Sequence, residues 1–278
     1  MRKLIPLLAL LTLLAVPASA SAANEVVRSG DVKATLSYHC PDGTYSCREM
    51  RFRIARGSGK SNVVLDQRIT LAGNRPFGPG RPGANSVYFA NLDSDAEPEI
   101  LVDLFTGGAH CCLVTFIYDF NGTSYNRIGR NWGDPGYVLT NIDRRDRPEF
   151  RSGDKRFAFL YTSFAETRFP IQIWNYRGGR LKTVTRKFRN TVRRDRDSHL
   201  RAYRAIRSAK GDVRGALAAY QADNYLLSRR TAARGWRILR RVVRQGKVNR
   251  PREGASGPYG RAYLRSLQRK LRQFHYAR

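Results

Sequence analysis

Between residue 26 and about residue 188, apolar and polar positions alternate over short runs rich in β-branched and aromatic side chains, the pattern of half-buried strands. It predicts strands at 32–37, 48–55, 62–68, 87–91, 100–105, 113–120, 125–128, 156–162, 171–176 and 181–186. Asn121-Gly122 separates two of these runs and is a tight-hairpin signal. Three prolines and four glycines between residues 73 and 83 mark a long surface loop. Beyond about residue 188 the period becomes helical: Tyr203 with Ile206, Leu217 with Tyr220, then Trp236, Leu239 and Val243, and finally Leu264, Leu267, Leu271 and Phe274. Gly211-Asp212 reads as a helix stop followed by a cap, and 251–258 as a Pro/Gly-containing connection. The expected fold is α+β: a mainly antiparallel β domain over 23–188, propeller-like or a sandwich, and an arginine-rich α-helical region over 189–278. Its three or four helices are expected to pack against the β part rather than around a rich core of their own.

The chain opens on Arg2 and Lys3, an apolar run from Leu4 to Val16, and a small-residue stretch from Ala18 to Ala23. Charged head, short apolar centre and small cleavage region predict a signal peptide over residues 1–22, cut after Ala20 or Ala22. No other stretch is apolar and long enough to span a bilayer. The expected product is secreted or extracytoplasmic, free or associated with the cell surface. Export permits disulfides, and Cys40, Cys47, Cys111 and Cys112 allow three full pairings. Either Cys40 bonds Cys47 across the Pro41-Asp42-Gly43 turn, with a less usual arrangement at Cys111 and Cys112, or the first pair crosses to the second. A zinc site drawing on His39, His110 and the cysteines competes, although neither cluster has CxxC spacing.

Charge changes the picture more than composition does. The 278 residues carry 51 basic and 22 acidic side chains, a net +29, while 41% apolar and 11% aromatic residues supply a core. The excess therefore lies on the surface of a folded protein and favours an anionic partner within about 8 Å at physiological salt. Residues 189–278 hold 25 basic and 5 acidic side chains, net +20, against net +7 for 23–188. Arginine outnumbers lysine 42 to 9, which suits bidentate grip on phosphate or carboxylate. The expected function is an exported, non-catalytic binding or scaffold protein that contacts an anionic cell-envelope polymer or surface. Two other classes compete: an extracellular hydrolase assembled from scattered residues such as Glu166 and His110, and a nucleic-acid binder using the arginine helices. Export and the lack of a recognition motif disfavour the second. No GxSxG, HExxH or phosphate-loop motif is present. The segment from Gly107 to Cys112 is expected to form a recognition or disulfide-locked structural site, with His39 and His110 supporting the disulfides and His199 and His275 at the surface.

The chemically richest segment runs from Asn91 to Glu99, where alternating Asn and Asp in a tight loop can turn several oxygens inward around a hard cation. Asn91, Asp93, Asp95 and Glu99 are the candidate ligands and calcium the candidate ion. Ala96 stands where a glycine is expected, and the competing reading is an Asx turn satisfying its own backbone. The loop resembles the Asp-rich turns of FG-GAP or VCBS-type repeats of extracellular β-propellers, including those of integrins. Fifty residues on, Asn141, Asp143 and Glu149 repeat the pattern, with Arg145 in place of an acid. The resemblance covers about residues 85–186 and implies an exported calcium-binding scaffold with a partial or degenerate propeller.

Overall fold

Among the described residues thirteen strands form three antiparallel sheets, followed by four helices. The computed structural model describes residues 22–41, 47–57, 62–71, 77–80, 85–93, 95–108, 110–145, 147–248 and 257–277. The expected export segment lies outside them apart from Ala22. So do most of the glycine- and proline-rich loop and of the 251–258 connection.

The first sheet is a meander of β1 (Ala22–Ser29), β2 (Val32–His39), β3 (Arg48–Arg56) and β4 (Val63–Arg68). Strict alternation puts Ala34, Leu36, Phe52 and Ile54 on one buried face and leaves Arg51 and Arg53 in solvent, paired with Asp66. The second sheet contains β5 (Gly78–Pro79), β6 (Val87–Ala90), β7 (Glu99–Phe105), β8 (Leu113–Phe120) and β9 (Tyr125–Gly133), with β5 and β6 both pairing with β7. Its central strands, EILVDLF and LVTFIYDF, are apolar nearly throughout because both faces are covered. Ile100, Val102, Val114 and Phe116 meet the first sheet, while Leu101, Leu113 and Ile117 meet the third.

The third sheet joins β10 (Tyr137–Thr140), β11 (Glu149–Gly153), β12 (Ile171–Arg177) and β13 (Arg180–Thr183). Tyr176 faces the second sheet, and Ile171 and Ile173 face Val192 and Leu227 of the helices. The protein is thus an α+β fold, a sandwich-like stack of antiparallel sheets followed by a helical bundle. Each fully buried Leu, Ile or Phe in these layers contributes roughly 1.5–3 kcal/mol relative to exposure.

This arrangement corrects the propeller and repeat expectation. The three sheets are separate and do not close: the outer face of the first is charged and solvated, and the far face of the third is taken by helices. A closed propeller has no such end faces. The FG-GAP/VCBS resemblance therefore does not describe the architecture.

Helices α1 (Arg189–Ser208), α2 (Arg214–Leu227), α3 (Arg229–Arg244) and α4 (Gly260–Gln273) do build a core of their own, contrary to expectation. Tyr203, Leu217, Leu239, Val242, Tyr263, Leu267 and Leu271 form one buried cluster. The 156–162 segment, expected as a strand, supplies part of it. Asp154 caps a single 3-10 turn at Lys155–Phe157, and Phe157 and Tyr161 insert between the helices. The start of α2 is fixed by Arg214, fully buried, which donates to Asp212, to the Gly257 and Pro258 carbonyls and to the Tyr259 hydroxyl.

Candidate functional site

The Asn91–Glu99 loop joins β6 to β7 and is pinned by the fully buried Leu92. The Leu92 amide donates to Glu99 Oε2 at 2.7 Å, and Asn91 Nδ2 donates to the Asp95 carbonyl at 2.9 Å. The amides of Asp95 and Glu97 donate to Asp93 and Asp95 side chains at 3.2 and 2.9 Å. These are Asx turns, in which the loop's own side chains satisfy its backbone amides. Asn91 is committed to that shape through its amide. Glu97 turns away and pairs with Arg56 and the Tyr125 hydroxyl.

Asp119, absent from the sequence-level ligand set, completes the acidic cluster. The β7–β8 register pairs Ile100 with Tyr118, which brings Asp119 opposite Glu99. Asp93, Asp95 and Asp119 each offer an oxygen, all within 4.8 Å of one another. Oxygens on opposite sides of a calcium ion, at about 2.4 Å each, are also about 4.8 Å apart, so the cluster can hold a metal ion. Beneath it, Glu99 is 2% exposed, and its Oε1 has no hydrogen-bond partner. Burial, reinforced by Asp93 and Asp119, pushes its carboxyl up to about 7. Tyr176, reaching over from β12, donates to Asp119 at 2.6 Å. In a chain this basic, no described cation forms an ion pair with any of the four carboxylates.

The Asn141–Glu149 loop between β10 and β11 repeats the scaffold. The Ile142 amide donates to Glu149 Oε2 at 2.9 Å and the Arg145 amide to Asp143 at 3.1 Å, while Asn141 Nδ2 donates to the Arg145 carbonyl. Here the Arg145 guanidinium lies 3.7 Å from Asp143 and supplies the positive charge from within the loop.

Both disulfides are local: Cys40 bonds Cys47, and Cys111 bonds its neighbour Cys112. Crossed pairing does not occur, and the cysteines are not available as thiolate ligands for zinc. His110 rests against Phe164, with ring centres 3.9 Å apart, and near Phe159, itself half exposed. Glu166 accepts the Asp212 amide at 2.6 Å and so closes the turn between α1 and α2. Its carboxylate has a structural use that the sequence did not suggest.

The arginines of the helical part sort by face. In α3, Ala232, Gly235, Leu239, Val242 and Val243 are buried. Arg230, Arg234, Arg237, Arg241 and Arg244 follow at alternating spacings of four and three along the opposite side, all exposed. Among the described residues, none of them makes a hydrogen bond or ion pair with another side chain. Of the two histidines expected at the surface, His275 is exposed, whereas His199 is only 5% exposed. No helix among the described residues is long and apolar enough to cross a membrane.

No protein-family model matches the chain, and no solved structure matches it. It is similar to a protein of Synechocystis described as a probable thylakoid lumen protein, 27% identical over 223 residues that make up 78% of this chain and 62% of that one. It is also similar to an uncharacterized protein of Sinorhizobium fredii, 32% identical over 87 residues, 31% of this chain and 14% of that one. The chain thus spans less than two thirds of either relative's length.

Proposed function

We propose that this chain is an exported, non-catalytic binding module. It grips an anionic envelope polymer through the arginine face of its helical bundle and holds calcium at the acidic loop of its β part. The observation that carries the reading is the exposed arginine row of α3, which forms no ion pair with a carboxylate among the described residues. A regular row of guanidinium groups on a rigid helix suits the repeating charges of a phosphate- or carboxylate-bearing polymer, since each fork can engage an anion bidentately. The core beneath α3 is independent of these side chains, so the face is free to serve a ligand. At the loop, an all-oxygen donor set favours a hard cation, and calcium tolerates the irregular geometry that Asp93, Asp95 and Asp119 offer above the buried Glu99. The Synechocystis relative is named for the thylakoid lumen, a compartment reached by crossing a membrane, which supports the export reading.

The test is retention of the full mature chain on a phosphate-bearing wall polymer at increasing salt. Binding should weaken steeply with ionic strength. Replacing Arg230, Arg234, Arg237 and Arg241 with Gln should weaken it about tenfold while leaving the melting temperature in place. Equal binding by the variant, or binding indifferent to salt, overturns the reading. Preference for a DNA duplex over the wall polymer moves the partner to nucleic acid.

A further inference from the structure

A second group of ligating side chains lies far from the acidic loop in sequence, between α1 and α2. Asp195 and His199 are one helical turn apart on α1 and share a face, and Asp223 of α2 points at them across the helix contact. His199 Nε2 lies 3.0 Å from Asp195 Oδ2 and 3.5 Å from Asp223 Oδ2. The burial is graded. Asp223 is fully enclosed and His199 nearly so, whereas 28% of the Asp195 side chain remains in contact with solvent.

A structural ion-pair reading explains only part of this. One imidazolium can neutralise one carboxylate, but two carboxylates converge, and no described arginine or lysine pairs with either. The neighbouring Arg196 is paired with Asp197 and acts on Asp223 only from a distance, as a favourable charge rather than a contact. The Ile171 amide of β12 faces both carboxylates. Even so, neither oxygen of Asp223 receives a hydrogen bond of ordinary geometry. A fully enclosed carboxylate whose contacts are an imidazole nitrogen at 3.5 Å and a second carboxylate, with no hydrogen bond of ordinary geometry to either oxygen, is an expensive feature in a well-packed helix contact.

We infer that Asp195, His199 and Asp223 form a binding site for a first-row divalent metal ion, with zinc the best fit. A neutral imidazole and two carboxylates supply one nitrogen and two oxygens, and their two negative charges cancel those of the ion within the buried site. Zinc bonds of about 2.0–2.2 Å at tetrahedral angles place neighbouring ligand atoms about 3.3–3.5 Å apart, which is the spacing the two His199 distances bracket. The partly exposed side of Asp195 provides the entry path and the position for a fourth ligand, a water molecule. The nitrogen donor separates this site from the loop, whose oxygens suit calcium instead.

The test uses the full mature chain stripped with a chelator and dialysed. Titration with zinc by calorimetry should show one ion bound per chain at micromolar protein, and cobalt(II) should bring up visible absorption of a tetrahedral centre. His199→Gln and Asp223→Asn should each abolish both signals. Far-UV circular dichroism of each metal-free variant, matched to the metal-free parent, establishes that loss of binding is not loss of fold. If Asp223→Asn does not fold, His199→Gln alone decides. Replacing Asp93 and Asp95 with Asn should leave zinc binding intact. No zinc bound by the parent, or full stoichiometry in His199→Gln, overturns the assignment.

Discussion

The loops at Asn91–Glu99 and Asn141–Glu149 share one hydrogen-bond scheme and differ in what they do with charge. In both, an asparagine bonds the carbonyl four residues on, an aspartate caps the amide two residues on, and a glutamate reaches back seven residues to an amide. In the first, Asp93, Asp95 and Asp119 converge, and no cation among the described residues forms an ion pair with them. In the second, Arg145 takes the place of Asp95. The register pairing Phe150 with Trp174 puts Asn175 opposite Glu149, where the first loop has Asp119 opposite Glu99. Two substitutions in equivalent places therefore separate a loop that can hold a metal ion from one that neutralises itself. The backbone turn depends on the shared Asn, Asp and Glu, and the cation chemistry on the other two positions.

The largest expected contrast lies under the loops. Leu92 is fully buried, whereas its counterpart Ile142 is only partly so. Leu92→Ala should cost about 3 kcal/mol by removing transfer energy and leaving a cavity, and Ile142→Ala about 1 kcal/mol. Urea unfolding of both variants measures the difference. Equal losses would mean that the two loops are anchored alike and that the comparison fails at its base.

The next effect is one of pH. Folded Glu99 titrates at about 7 against an ordinary 4.5, so between those values the folded chain holds the proton that the unfolded chain has lost. Stability from this group is whole below pH 4.5 and lost as the pH rises through about 7. The loss is about 3.5 kcal/mol at most, because each tenfold difference in proton affinity between the folded and unfolded chain corresponds to about 1.4 kcal/mol. Melting temperatures at pH 5 and 8 without divalent cation should show the fall, and calcium at pH 8 should reverse it. Glu99→Gln should flatten the profile. A fall that survives Glu99→Gln assigns the pH effect to another group.

Much of the fold is legible in the sequence because strict alternation survives wherever one face of a sheet is solvated, as in β2 and β3, and because both-face burial leaves the apolar runs of β7 and β8. The strands at Tyr137–Thr140 and Glu149–Gly153 escape because four or five residues carry too little period to register. The 156–162 segment alternates like a strand, but tertiary packing of Phe157 and Tyr161 among the helices overrides that local preference. The candidate site divides the same way. Asp93, Asp95 and Glu99 stand in one short loop and can be read directly, whereas Asp119 belongs to the cluster only through hairpin register. His199 looks like a surface residue amid arginines. Its burial arises from the α1–α2 contact, which no spacing within α1 reveals.

The smallest effect is the most discriminating, because it asks for a gain. Arg145→Asp with Asn175→Asp should rebuild in the second loop the carboxylates that the first presents, with Asp143 and Glu149 already in place. Arg145 is a surface residue whose pairing with Asp143 is worth about 0.5 kcal/mol or less, so its loss should barely disturb the metal-free protein. Added like charges should cost slightly more. Calcium should then stabilise the double variant by about 1 kcal/mol beyond its effect on the parent, read from melting curves over a calcium titration. Placing the double variant on an Asp95→Arg background separates the loops: any response that remains must come from the rebuilt one. If the double variant gains nothing while the parent responds, the site needs more than these two positions, and the backbone of the first loop contributes what the hydrogen-bond scheme alone does not distinguish.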